Sequence, residues 1–358
     1  MSRTVDILGR WVDMGLLKAH LPGPPPRPPT TQQQYGPQFQ AQGGQQMQPF
    51  FQYSQCNGRR KALCIGINYF GQTAELKGCI NDALNIKNFI MSRFNYQDDD
   101  IVMLTDDATN PRQQPTRENI IAAMQWLVRD AHPNDSLFFH YSGHGGQTKD
   151  LDGDEDDGYD EVIYPVDYEA NGHIVDDLMH DIMVRPLPPG CRLTSIFDPV
   201  PDIIRFSRAI PEQRWYSTEG KIKEPNLAAE AGQGLMSAVS SYARGDMGGV
   251  FSSVTGLIKV ATGNQKSAEA QTRRTKTSPA DVISWSGCKD SQTSADANEA
   301  GRATGAMSWA FMTALNKNPQ QSYMQLLNTI RDELRSKYSQ KPQLSCSHPM
   351  DTNILFIA

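Results

Sequence analysis

The chain predicts an α/β sandwich, with a mainly parallel central sheet flanked by helices. Three observations lead there. From Arg59 onward, short apolar runs alternate with stretches of helical periodicity. Cys79, Ala83, Ile86 and Ile90 recur at steps of four, three and four, which buries one helix face. At 358 residues with 38% hydrophobic content, the chain can fill one large core and carry a tail besides.

In order along the chain, residues 1–58 read as a leader. Residues 22–29 are Pro-rich and hold extended polyproline geometry. Thr31 to Gln55 is Gln-rich, with too little apolar surface to offset the entropy of ordering, so 1–58 is expected to lack fixed contacts. A helix over 2–20 is compatible with the pattern. The expected strands are Ala62–Ile67, Ile101–Leu104, Ser136–Tyr141, Val162–Val166, Arg192–Phe197 and Val282–Trp285, with Asn353–Ile357 closing the domain that begins at 59. Between the first two lies the Cys79–Ile90 helix. Thr116 and Asn119 with the run Ile120 to Leu127 mark a second. Residues 221–280 have weak periodicity and read as a long, partly disordered connection. Its basic run, Arg273, Arg274 and Lys276, is either a solvated loop or, in a protease that prefers basic residues, a self-cleavage site.

Composition excludes several classes. A formal net charge of -6 gives no diffuse basic field for a phosphate backbone, so no nucleic-acid partner is expected. The apolar patch Val12 to Leu17 is too short and too charged for a signal or a membrane span. The six cysteines lack CxxC spacing and read as reduced, buried thiols, which makes cytoplasmic or nuclear residence the expectation.

The chemistry concentrates where a buried strand, Leu137 to Tyr141, runs into Ser142-Gly143-His144-Gly145-Gly146. That exposes an imidazole at the carboxyl edge of the sheet, where ligands bind. A lone loop histidine would be bland, but flanking glycines clear space for a substrate backbone. Together, Tyr141-Ser142-Gly143-His144-Gly145, Cys79-Ile80-Asn81-Asp82-Ala83, the acidic run Asp152 to Glu161 and Ile174-Val175-Asp176-Asp177 resemble the motifs of type I metacaspases. The resemblance runs from about residue 59 to the end, and the Pro/Gln-rich leader is similar to that family's prodomain. It implies a caspase-like fold and a Ca²⁺-dependent cysteine endopeptidase acting on proteins or peptides after Arg or Lys, with His144 as general base and the Gly145 N–H as oxyanion donor.

In that family, a strand ending in Phe-Asp leads into the nucleophilic Cys followed by His-Ser-Gly. Here Phe197 and Asp198 are followed by Pro199-Val200-Pro201, so Val200 stands at the nucleophile's position. Valine has no lone pair to attack with, so covalent acyl transfer through it is excluded. Cys191, seven residues before Asp198 and ~20 Å from the carboxyl edge at strand spacing, is no substitute. Cys64 reads as a core thiol and Cys79 as a poor replacement. The departure spans Pro199 to about Trp215, and the family pattern resumes at Tyr216. That abruptness fits a splice or reading-frame error, with a true inactive homologue as the alternative.

By resemblance, Asp82, Ser142 and Asp198 line the pocket for the basic side chain, and Asp160, Asp176 and Asp177 bind Ca²⁺, weakly because the fourth ligand falls in the altered block. Left to itself, Asp82 is equally a helix N-terminal carboxylate. The run Asp150 to Glu161 places Glu155 where an EF-hand needs Gly, so it is no EF-hand, although it could be a plain solvated loop. Three readings stand: a cysteine endopeptidase, a non-catalytic homologue that binds or regulates, and a calcium module independent of peptide. The resemblance implies a monomer.

Overall fold

The computed structural model describes residues 3–5, 11–13, 23–36, 38–40, 46–149, 159–201, 278–287, 296–299, 302–335 and 342–358. Arg273, Arg274, Lys276 and the acidic residues 150–158 lie outside these.

The strands of the main sheet are β1 (Arg60–Gly66), β2 (Ile101–Thr105), β3 (Ser136–Lys149), β4 (Tyr159–Ile163), β5 (Ile174–Val175), β6 (Arg192–Pro201), β7 (Asp281–Ser286) and β8 (Gln343–Cys346). They lie in the order β2-β1-β3-β6-β7-β8. Every contact from β2 to β7 is parallel, and only β8 runs antiparallel at the far edge. β3 outruns β1, and its second half turns to β4 and β5 in an antiparallel extension.

A parallel strand covered on both faces must be apolar on both. Accordingly Ala62, Leu63, Cys64 and Ile65 are all fully buried. Alternation then divides the core in two. Ala62, Cys64, Phe138, Ile196, Ile283 and Trp285 face one cluster. Leu63, Ile65, Leu137, Phe139, Leu193 and Val282 face the other.

Helices α1 (Cys79–Phe94), α4 (Ala306–Lys317) and α5 (Tyr323–Arg335) cover the first face. Helices α2 (Arg117–Val128) and α3 (Asp176–Met183) cover the second. Thr116 caps α2 by accepting the Asn119 N–H at 3.3 Å, and α1 stops at Asn95 in the left-handed region.

Several expectations are corrected. Asn353–Ile357 contributes only an isolated bridge, Ser322 to Leu355, and the closing strand is β8 instead. The strand expected at Val162–Val166 begins earlier, at Tyr159, because it pairs back onto β3. In place of a helix over 2–20, Arg3–Val5 and Trp11–Asp13 pair antiparallel. The expectation that 1–58 lacks fixed contacts fails for its described residues from 23 onward. Phe51 and Tyr53 are buried, Phe51 stacks on His348 at 3.7 Å, and the Leu355 N–H donates to the Pro26 carbonyl at 2.7 Å. Average composition concealed two aromatic anchors.

These anchors meet at the amino ends of β6 and β7. Arg192 and Asp281 are register partners, both fully buried, in a 2.6 Å ion pair. Asp281 also accepts the Ser54 N–H at 2.9 Å and faces His348 Nε2 at 3.0 Å, while Arg192 donates to the Tyr323 hydroxyl at 2.6 Å and the Ile357 carbonyl at 2.9 Å. Burial works to raise the Asp281 carboxyl, but the Arg192 charge, His348 and the Ser54 N–H outweigh it and hold it below its usual range. A depressed folded pKa means its contribution is complete at neutral pH and is lost as the pH falls through the acid range. Asp281→Asn should therefore cost ~3–5 kcal/mol at pH 7 by urea denaturation, since it strands a buried guanidinium. The gap to the parent should narrow below about pH 4; a pH-independent gap would contradict this account.

Candidate active site

The parallel register of β3 and β6 sets the site. It pairs Asp198 with Ser142, Pro199 with Gly143, Val200 with His144 and Pro201 with Gly145. The histidine and position 200 are thus direct neighbours on adjacent strands, just beyond the end of β1, whose Gly66 pairs with Ser142.

His144 is buried, and its Nε2 lies 2.6 Å from the Ala74 carbonyl. A carbonyl can only accept, so the proton sits on Nε2 and the basic lone pair of the neutral ring on Nδ1. Tyr69 packs its ring against the imidazole, with centroids 4.5 Å apart.

Asp82, Ser142 and Asp198, all buried, come together around the start of α4. Asp82 accepts the Ser142 hydroxyl at 2.9 Å and the Gly305 N–H at 2.7 Å. Asp198 accepts the Ser308 N–H at 2.7 Å. The reading of Asp82 as a helix N-terminal carboxylate is thereby extended: it lies in the first turn of α1, yet reaches across to the N-terminus of α4. Unsatisfied N–H groups and the positive end of the α4 dipole offset the cost of two adjacent buried carboxylates. Beneath them, His140 contacts the Ser308 hydroxyl at 3.0 Å, and complete burial pushes its pKa down to about 3, keeping it neutral.

The glycines have a reason other than substrate clearance. A Cβ on Gly143 would lie 2.8 Å from the Tyr141 hydroxyl, and one on Gly146 would strike the Tyr164 ring. They make room for tyrosines.

No described cysteine replaces the nucleophile. Cys56, Cys64, Cys79, Cys191 and Cys346 are buried, and burial pushes Cys64 and Cys191 up to about 12. Cys191 precedes β6, at the end away from His144. Cys79 begins α1 but is packed in the core. Among the acidic residues, Asp160, Glu161 and Asp176 are buried and Asp177 partly so. The pairing of Val162 with Val175 brings Asp160, Asp176 and Asp177 to one end of the β4–β5 pair. Among the described residues, no three His, Cys, Asp or Glu side chains are gathered as a ready metal cage.

A sequence model described as the metacaspase, peptidase C14 domain matches residues 60–200. Metacaspase-1 of Cryptococcus neoformans is 68% identical over 335 residues, covering 94% of this chain and 72% of the relative. The chain belongs to the metacaspase family. Metacaspase-1B of Neurospora crassa is 62% identical over 333 residues, covering 93% of this metacaspase and 76% of its own length. A Geobacter sulfurreducens protein of known crystal structure shares the fold, with a TM-score of 0.51 at 19% identity over 84% of this chain and 98% of that one. The metacaspase family is a peptidase family, and this metacaspase has its caspase-like α/β fold. The family match ends at position 200, where this metacaspase reads Val.

Ala74, Tyr69, Gly305 and Ser308 escaped the sequence reading. Ala74 and Gly305 act through backbone atoms, which leave no side-chain signal. Gly305→Ala tests the pocket's packing: its Cβ would lie 2.5 Å from Asp198 Cγ and 2.8 Å from Asp82 Oδ2. A loss of about 1–3 kcal/mol in unfolding free energy is expected; no loss would show that the two carboxylates can part freely.

Proposed function

We propose that this metacaspase holds an Arg or Lys side chain of a protein substrate between Asp82, Ser142 and Asp198, and that with Val at position 200 it does not carry out thiol peptidase chemistry. The pairing of position 200 with His144 is the observation that carries this. In a thiol peptidase, the Cys proton passes to the imidazole, the thiolate attacks the scissile carbonyl, and a backbone N–H such as that of Gly145 holds the oxyanion. His144, with its lone pair on Nδ1, can accept that proton. Valine has none to give.

The parent should not cleave Arg peptides by any thiol route. Val200→Cys should introduce an alkylation-sensitive activity toward Arg peptides that His144→Ala removes and Asp82→Asn weakens. A parent rate typical of cysteine peptidases, removed by Cys79→Ala, would overturn the assignment of position 200.

The pocket is built from residues other than the nucleophile, and this supports a second reading: a non-catalytic homologue that binds basic peptides. Binding of an Arg peptide by the parent, lost in Asp82→Asn, with no cleavage in Val200→Cys, would select it.

Calcium belongs to the same proposal. Asp160, Asp176 and Asp177 offer only hard oxygens, the chemistry Ca²⁺ takes, and would hold it from one end of the β4–β5 pair. Calorimetry should show heat that the Asp176→Ala, Asp177→Ala double variant loses; equal heats would exclude the site. No helix among the described residues is long and apolar enough to cross a membrane. The buried thiols, without CxxC spacing, support a reducing compartment, cytoplasm or nucleus. All four residues of edge strand β8 are buried within the one chain, which supports a monomer.

A further inference from the structure

We infer that Tyr69 is a positioning residue for His144, which it holds in the orientation that directs Nδ1 away from Ala74. The inference rests on the peptidase reading of His144 only for its functional consequence.

His144 is flanked by Gly143 and Gly145, so neighbouring side chains do nothing to fix its backbone. Polar contacts do that instead. Its N–H donates to the Tyr69 hydroxyl at 2.9 Å, and its carbonyl accepts the Tyr141 hydroxyl at 2.6 Å and the Tyr164 N–H at 3.2 Å. The Tyr69 hydroxyl donates onward to the Tyr164 carbonyl at 2.6 Å. The Tyr141 hydroxyl also lies 3.2 Å from the Tyr164 carbonyl and 3.2 Å from the Tyr69 hydroxyl, so the two phenols, the Tyr164 carbonyl and the His144 backbone form one hydrogen-bonded network. Burial raises the pKa of both phenols and keeps them protonated.

The ring adds a second constraint. Tyr69 is fully buried with its ring tilted 42° against the imidazole, and its backbone sits at φ 56°, a left-handed conformation costly for an aromatic residue. Its surroundings enforce it: the N–H groups of Asn68 and Phe70, on either side, donate to the two Asp106 carboxylate oxygens at 2.8 and 3.2 Å, and the Leu76 N–H donates to the Asn68 carbonyl at 2.7 Å. The same loop carries Ala74. One strained loop therefore supplies both the ring packed on the imidazole and the carbonyl that fixes its proton.

The experiment reads the His144 tautomer by long-range ¹H–¹⁵N NMR in the full chain, which needs no activity. The parent should show one tautomer, protonated on Nε2. Tyr69→Phe keeps the ring and removes the hydroxyl, so the single-tautomer signal should be lost to exchange. Tyr141→Phe, which removes the other hydroxyl, should act in the same direction and serves if Tyr69→Phe does not fold. Tyr96→Phe, which deletes an equally buried hydroxyl bonded to Ser136, is the control and should leave His144 unchanged. In a Val200→Cys background, Tyr69→Phe should lower kcat on the order of 10- to 100-fold with KM unchanged, because the pocket is untouched. An unaltered Nε2 tautomer in Tyr69→Phe, or an equal change in Tyr96→Phe, would overturn the inference. A Val200→Cys protein that never cleaves would count against the peptidase reading alone, since the tautomer still decides the role of Tyr69.

Discussion

The buried pair of Arg192 and Asp281 is the constraint on which the arrangement depends. A guanidinium taken fully out of water is tolerable only when its charge is paired and most of its donors are met. Here its two terminal nitrogens are met by groups from distant parts of the chain, Asp281 on β7, Tyr323 on α5 and Ile357 near the C-terminus, while Nε is left buried without a hydrogen bond. Asp281 in turn recruits Ser54 and His348. Because the pair lies across one register position, it sets β6 and β7 in step at their amino ends. It also makes residues 51–54 part of the domain.

A register set at one end of a strand is kept to the other, since a slip of one residue would turn every side chain to the wrong face. The β3–β6 pairing carries ten consecutive partners from Arg192 to Pro201. Its carboxyl end then has little freedom. Position 200 meets His144, Asp198 meets Ser142, and the space left over is filled by tyrosines at Gly143 and Gly146 and by carboxylates at Gly305. The site is crowded rather than open, and its glycines mark where protein atoms converge.

What could be read in the sequence follows the same division. Parallel strands buried on both faces announce themselves as apolar runs, and α1 and α2 by period and cap, so the layered fold was legible. α5 carries an equally regular face in Tyr323, Leu326, Leu327, Ile330 and Leu334, a helix absent from the expected elements. The leader misled because disorder is inferred from averages, whereas Phe51 and Tyr53 act as individuals against His348. Asp82, Ser142 and Asp198 were legible through motifs that resemble a family. Ala74 was not, since a carbonyl is common to every residue and only the fold decides which one faces an imidazole.

The pocket and the nucleophile differ in what else they do for the protein. Asp82 ties α1 to α4 through Gly305, and Asp198 ties β6 to α4 through Ser308, so both carboxylates serve the fold whether or not a substrate enters. Their presence alone is therefore accounted for by the fold and does not argue for turnover. The imidazole is different. Its ring is held by a strained loop and a backbone carbonyl, and the scaffold places it opposite a single position of β6. That arrangement suits a proton acceptor, and the residue at position 200 decides whether there is a proton to accept.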